Sequence, residues 1–162
     1  MGCRPVDARP VEPPQQFTVV KADVDIDHAD AIIVADEAYG EPKQRPRPEA
    51  IAGRQRMTAA GGTVVLARER ATGAPAGSGL FPPPRASVSE LAAVGTRGAF
   101  RGRGVATAVT SHLVRCALHN GVEFLWLTPE GDQGERIYRR VGFTRLGGHM
   151  VHISRPSGED NA

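Results

Sequence analysis

Cysteine, lysine and aromatic side chains are all scarce in this 162-residue chain. Cys3 and Cys116 are the only cysteines, one near the start and one inside a helical pattern, so neither a disulfide framework nor a cysteine metal site is supported. Lysine is confined to Lys21 and Lys43 among 20 basic residues. That skew to arginine, beside abundant Ala and Gly, fits a high-GC coding bias as well as any function. A net charge of +2 is nearly balanced and does not by itself argue for a nucleic-acid or membrane partner. No apolar run approaches the roughly 20 residues that span a bilayer. The opening "MGCRPVDARPVEPP" lacks the apolar core of a signal peptide, and Val6 stands where N-myristoylation requires Ser or Thr. These absences lead us to expect a soluble, cytoplasmic protein with no nucleic-acid and no membrane partner.

With 40% apolar and 23% charged residues, the chain has the composition of one globular domain. Residues 1–16 are rich in Pro, Arg and acid without periodicity and are expected as a flexible leader, ahead of a domain over 17–155 and a polar tail over 156–162. "FTVVKADVD" has the β-branched content of a strand, and the three- and four-residue steps of Ile26, Ala29, Ile33 and Ala38 predict a helix stopped by Gly40. "EPKQRPRPE" is expected as a loop because of Pro42, Pro46 and Pro48. "EAIAGRQRMTAA" is a weaker helix pattern ended by Gly61-Gly62. Strands follow at Thr63 to Glu69, at "SGLF" and at Val88 to Thr96.

The helix expected from about Gly104 to His119 carries Val105, Val109, His112, Leu113, Cys116 and Ala117 on one stripe. "EFLWLT" is apolar enough for a strand covered on both faces. "GDQGERIYRRVG" reads as a short helix with capping-box-like spacing at Asp132 and Glu135 and a C-terminal Gly142. "FTRLG" and "HMVHISR" are expected to close as a hairpin. Alternating strands and helices predict an α/β or α+β sheet with helices on its faces. No metal site is expected: His149 and His152 face opposite sides of a strand, and His112 and Cys116 lie on the apolar stripe.

The chemistry is concentrated in "TRGAFRGRGVATAV", Thr96 to Val109. Its place between a strand and an amphipathic helix argues against an RGG-type tail, which belongs in low-complexity sequence. A dinucleotide fingerprint fails because Thr107 stands where the third glycine is needed. A plain structural turn and an anion cradle both remain. A helix start offers four unpaired N–H groups and about half a positive charge, and glycines let a phosphate approach them.

"ELAAVGTRGAFRGRGVATAVTSHLV" resembles the acyl-CoA binding motif of the GCN5-related N-acetyltransferase (GNAT) superfamily, with Arg101, Gly104 and Ala106 at the motif positions. "FLWLTPEGDQGERIYRRVGF" resembles the family's second signature, with Tyr138, Gly142 and Phe143 in place. The likeness runs from about Leu66 to Ile153. Within it, Gly131 and Gly134 stand where the family often has Asn and Ala, and Gly98 replaces a frequent proline. The resemblance implies a mixed, mostly antiparallel central sheet with helices on both faces, splayed between the fourth strand, "ELAAVGT", and the fifth, "EFLWLTP". It also implies acetyl-CoA (coenzyme A) as cofactor and an amine on a small molecule as acceptor.

By that resemblance the backbone of Ala92, Ala93, Val94, Gly95 and Thr96 would bond the pantetheine arm, with the Val94 N–H meeting the thioester oxygen. Arg101, Gly102, Arg103, Gly104, Val105, Ala106 and Thr107 would hold the pyrophosphate. Tyr138 would supply a proton to the departing thiolate, helped by a positive environment from Arg139 or Arg140, and Glu90 is the candidate base. Asp25, Asp27, Asp30, Asp36 and Glu37 either attract a cationic amine or form a solvated helix face. A non-catalytic acyl-CoA binding module is the alternative function, and a homodimer through the C-terminal strands stays open.

Overall fold

A computed structural model describes residues 1–41 and 44–147. In chain order the regular elements are β1 (Gly2–Cys3), β2 (Phe17–Lys21), α1 (Asp25–Ala38), α2 (Pro48–Ala59), β3 (Thr63–Glu69), β4 (Pro75–Phe81), β5 (Val88–Glu90), β6 (Ala92–Thr96), α3 (Val105–His119), β7 (Phe124–Trp126) and α4 (Gly131–Val141). Pro48 opens α2 rather than ending the preceding loop, because the first helical position needs no N–H donor. The second arm of the expected hairpin, "HMVHISR", and the polar tail lie outside the described residues, as do His149 and His152. Thr144 contributes a single antiparallel bridge to Gly2.

Two sheets share one run of chain. β2, β3, β4 and β6 form an antiparallel sheet in that order. β5 pairs in parallel with β7, whose other edge takes β1 antiparallel. The run from Val88 to Thr96 therefore starts in one sheet and ends in the other. The Leu91 N–H still bonds the Trp126 carbonyl at 2.8 Å, and beyond that point β6 is paired with β4. This is the mixed, mostly antiparallel α+β architecture expected, with the splay falling between the strands read as fourth and fifth.

β3 shows how the layers arise. All of Thr63 to Ala67 is buried, and side chains alternate across the sheet. Val65 and Ala67 join the large core under α3, while Val64 and Leu66 join a smaller core under α1. β4 begins three residues earlier than the "SGLF" pattern predicts. Its glycines are there for helix approach: a Cβ on Gly77 would run into Val105, and one on Gly79 would lie 2.9 Å from Leu113.

The first residues also depart from expectation. Instead of a free leader they form a strap across the domain. Arg9 N–H bonds the Val141 carbonyl at 2.9 Å, Val11 N–H bonds the Ser111 hydroxyl at 2.8 Å, and Cys3 is only 4% exposed. The strap is held largely by backbone bonds and isolated apolar residues, which leave no periodic pattern in the sequence.

Candidate functional site

The stretch between β6 and α3 forms an open helix start. Gly102 and Gly104 have φ of 74° and 81°, in the left-handed region, and they alternate with Arg101 and Arg103. Gly104 is the N-cap of α3, no side chain among the described residues caps the helix, and no acidic residue sits in its first turn. The N–H groups of Val105, Ala106 and Thr107 thus have no intrahelical acceptor and no side-chain cap. The side chains of Val105 and Thr107 are buried, so these two positions face an anion with backbone alone. An uncapped, glycine-opened N-terminus on a 15-residue helix fits a phosphate group.

The arginines divide by environment. Arg101 is exposed and, among the described residues, its side chain makes only long bonds, to the carbonyls of Thr96 at 3.3 Å and Ala38 at 3.4 Å. Arg103 is engaged elsewhere: it pairs with Glu69 at 3.1 Å and lies 4.8 Å from the Phe17 ring centroid and 5.4 Å from that of Phe100. Arg97 clamps Glu37 at 2.9 Å and the Pro75 carbonyl at 3.1 Å, so its charge ties α1 to the sheet.

β6 is bulged at the point where the sheets part. Ser78 pairs with Gly95 but Leu80 pairs with Ala92, leaving an extra residue on β6, and Ala93 has φ 51°. A left-handed alanine costs about 1–2 kcal/mol, and a bulge re-aims the neighbouring peptide groups. Ala92 to Thr96 therefore line the splay with a distorted strand. Thr96 adds a buried hydroxyl with no hydrogen-bond partner among the described residues. Glu90 is half-buried at the end of β5, opposite Trp126 and three residues before the left-handed Ala93.

Tyr138 is positioned by the way α4 stops. Gly142 has φ 110°, its N–H bonds the Arg139 carbonyl at 3.2 Å, and the Phe143 N–H bonds the Tyr138 carbonyl at 3.1 Å. That is a Schellman turn, in which the residues at the two ends of the longer bond pack together. Here they are Tyr138 and Phe143, with ring centroids 5.9 Å apart. The "Y-x-x-x-GF" signature is thus a helix stop that fixes the phenol.

Burial, with smaller contributions from Tyr39 and Glu130, pushes the Tyr138 pKa up to about 12. The positive environment expected from Arg139 or Arg140 is not among the causes of that shift. Arg139 instead pairs with Glu135 at 2.6 Å. Asp132 and Glu135 do not form a capping box either, because the N-cap is Glu130 and Asp132 already lies in the first turn; the other Glu135 oxygen is held by Arg145 at 2.7 Å. These arginines hold its carboxyl below the ordinary carboxylate range, the Arg145 hydrogen bond contributing most.

The acids of α1 are largely occupied. Asp27 and Asp30 pair with Arg68 at 2.8 and 2.6 Å, Asp25 accepts from the Gln55 amide, and Glu37 is held by Arg97. They form an ion-paired helix face rather than an open cationic trap. Two residues not singled out in the sequence contribute to the raised Tyr138 pKa: Tyr39, just past the end of α1, and Glu130, the N-cap residue of α4. Tyr39 is one of only two tyrosines, which was a usable signal; Glu130 had none.

The family model described as the Acetyltransferase (GNAT) family matches residues 29–143. A GCN5-related N-acetyltransferase from Kribbella flavida superposes with a TM-score of 0.66 at 28% identity over 87% of this chain, which spans about half, 51%, of that protein. yncA of Salmonella typhimurium, solved with its cofactor acetyl-CoA, gives a TM-score of 0.66 at 19% identity, covering 82% of each chain. Glucosamine-6-phosphate N-acetyltransferase from Arabidopsis thaliana gives 0.67 at 15% identity, covering 86% of this chain and 99% of its own. No curated protein sequence matches.

Proposed function

The chain belongs to the GNAT acetyltransferase family, and on that premise we propose that it transfers an acetyl group from acetyl-CoA to an amine of a small-molecule acceptor. The observation that carries this reading is the uncapped start of α3, opened by left-handed Gly102 and Gly104, next to a bulged strand that has parted from β7. In this reading the backbone from Gly102 to Thr107 and the side chain of Arg101 hold the pyrophosphate. Arg103 supports the loop from below on Phe17 and Phe100. Ala92 to Thr96 hold the pantetheine arm by strand-like pairing.

When bound, acetyl-CoA supplies an activated thioester carbonyl. The Val94 N–H receives the charge that develops on its oxygen. Glu90, directly or through a water, takes a proton from the incoming amine. As the C–N bond forms the C–S bond breaks, and an acceptor arriving as ammonium sheds two protons, one ending on the thiol product and one in solvent. Tyr138 donates a hydrogen bond to the departing sulfur. With a phenol near pKa 12 against a thiol near 8.5, outright proton transfer is uphill by about 5 kcal/mol, so Tyr138 acts as a neutral donor rather than as a spent acid.

Thermal unfolding with and without coenzyme A tests the binding step: the melting temperature rises at about millimolar ligand, and an unchanged value sinks the proposal. Thiol release from acetyl-CoA over a panel of amines, amino acids, polyamines and aminoglycosides tests the transfer. Binding without turnover on any of them favours the non-catalytic module instead. We expect action in the cytoplasm.

A further inference from the structure

The small sheet of β1, β7 and β5 has one deeply buried face. Cys3, Leu125 and Ser89 are buried there, and Cys3 and Leu125 share the core of Val65 and Ala67 under α3. Side chains alternate along a strand, so Val88, Glu90, Phe124 and Trp126 point to the opposite side. On that side α1 covers β3, β4 and β6. Among the described residues Val88, Phe124, Trp126 and Leu146 pack into neither core, and Val88 and Leu146 are 38% and 51% exposed. The outer face of the small sheet is therefore an open apolar floor beside α1.

The strand register gives that floor a chemical order. Glu90 lies opposite Trp126 in the parallel pairing of β5 with β7, and Gly2 lies opposite Trp126 on the other flank. Paired strands run about 4.8 Å apart, so the carboxylate and the indole are direct neighbours on one face. A Cβ on Gly2 would run into the Phe124 ring and lie 2.9 Å from Leu146, so those two side chains close over the glycine. Trp126 is left half-buried between this apolar patch and Glu90. The pair also stands where the sheets part: the Leu91 N–H bonds the Trp126 carbonyl, and the chain then crosses to β4. An ammonium held by the Glu90 charge thus carries its substituent over an indole, a surface that favours flat apolar groups.

We propose that Trp126 is the acceptor platform and that the acceptor is an amine bearing an aromatic ring, the ring lying on Trp126 and the amine at Glu90. This rests on the acetyltransferase reading and deepens it.

Trp126 is the only tryptophan in the chain, so its fluorescence reports on this face alone. Stabilisation by coenzyme A is measured first, and its failure counts against the acetyltransferase reading itself. In the coenzyme A-saturated protein acrylamide quenches Trp126 freely, and phenethylamine shields it. Emission that resists acrylamide before any amine is added means that another part of the chain or a second copy covers the face, which overturns the proposal. Calorimetric titration then compares three amines that share a two-carbon linker and differ in the far group: phenethylamine, ethanolamine and ethylenediamine. Phenethylamine binds at least about tenfold tighter than either of the others. Trp126→Ala brings it within about threefold of ethanolamine while the coenzyme A stabilisation persists, and Trp126→Phe, which keeps a ring, retains most of the preference. Equal affinities in the native chain, absence of binding included, sink the idea. So does a Trp126→Ala variant that keeps the full preference.

Discussion

At the scale of single residues one phenol bears on the proposed chemistry and one imidazole on the stability of the fold. Tyr138 keeps its proton at any physiological pH, because burial raises its pKa to about 12. In the proposed mechanism its contribution is a hydrogen bond that strengthens as charge gathers on sulfur. Tyr138→Phe removes that bond, and kcat falls tenfold or more, about 1.4 kcal/mol, with little change in coenzyme A affinity; an unchanged rate removes Tyr138 from the mechanism. His28 works against the fold at low pH. It is 2% exposed, its Nδ1 has no partner among the described residues, and burial sets its pKa below the ordinary 6.5, outweighing the pull of Asp27, Asp25 and Asp23. A lowered folded-state pKa means that the unfolded chain binds the proton first as pH drops. Stability is therefore lost as pH falls below about 6.5, and His28→Leu loses less between pH 7 and 5 in urea titrations. Equal losses in the two proteins remove His28 as a source of acid sensitivity. His28's burial could not be read from the sequence, since it depends on which neighbours the fold supplies. Tyr138 could be read because its spacing to Gly142-Phe143 is itself a local structure.

At the scale of elements the same turn links stability to chemistry. Gly142 at φ 110° leaves little room for a side chain, and a Cβ there would lie 3.3 Å from the Ala8 Cα of the strap. Gly142→Ala accordingly costs about 1–2 kcal/mol in chemical denaturation. It also lowers turnover more than it lowers coenzyme A binding, because the α4 stop aims Tyr138 and lies outside the cradle. Loss of binding in step with turnover shows instead that α4 is misfolded as a whole. Strand and helix existence was legible wherever local pattern decides it, as in β3, α3 and α4. The junction of β5 and β6 was not: Val88 to Thr96 reads as one strand, and the bulge at Ala93 arises from pairing with two different sheets. The capping box failed because α4 starts earlier than its spacing implies, with Glu130 as N-cap and Asp132 inside the first turn, which frees Glu135 to pair with Arg145 and Arg139.

At the scale of the whole molecule the strap joins the two halves of the proposed site. It pairs with β7 at Gly2–Cys3, passes the Gly142 turn at Ala8 and Arg9, crosses α3 at Ser111, and reaches Pro14, which stands beside Gly104. Cys3 lies in the main core with Leu125 and Phe143. An ionised carboxylate at that buried position has no cationic partner among the described residues and is cut off from water. Cys3→Asp then destabilises the protein by about 2–5 kcal/mol, read as a lower urea midpoint with a normal slope. A free leader tolerates the change, because the side chain simply stays in water, and a shift below about 0.5 kcal/mol rules the strap out. The coenzyme A-dependent rise in melting temperature separates a further consequence. Since the strap touches Gly104 through Pro14, loosening it frees the cradle's entry turn, and the variant gains less from coenzyme A than the native chain. An undiminished gain means that the cradle is held by α3 and β6 alone.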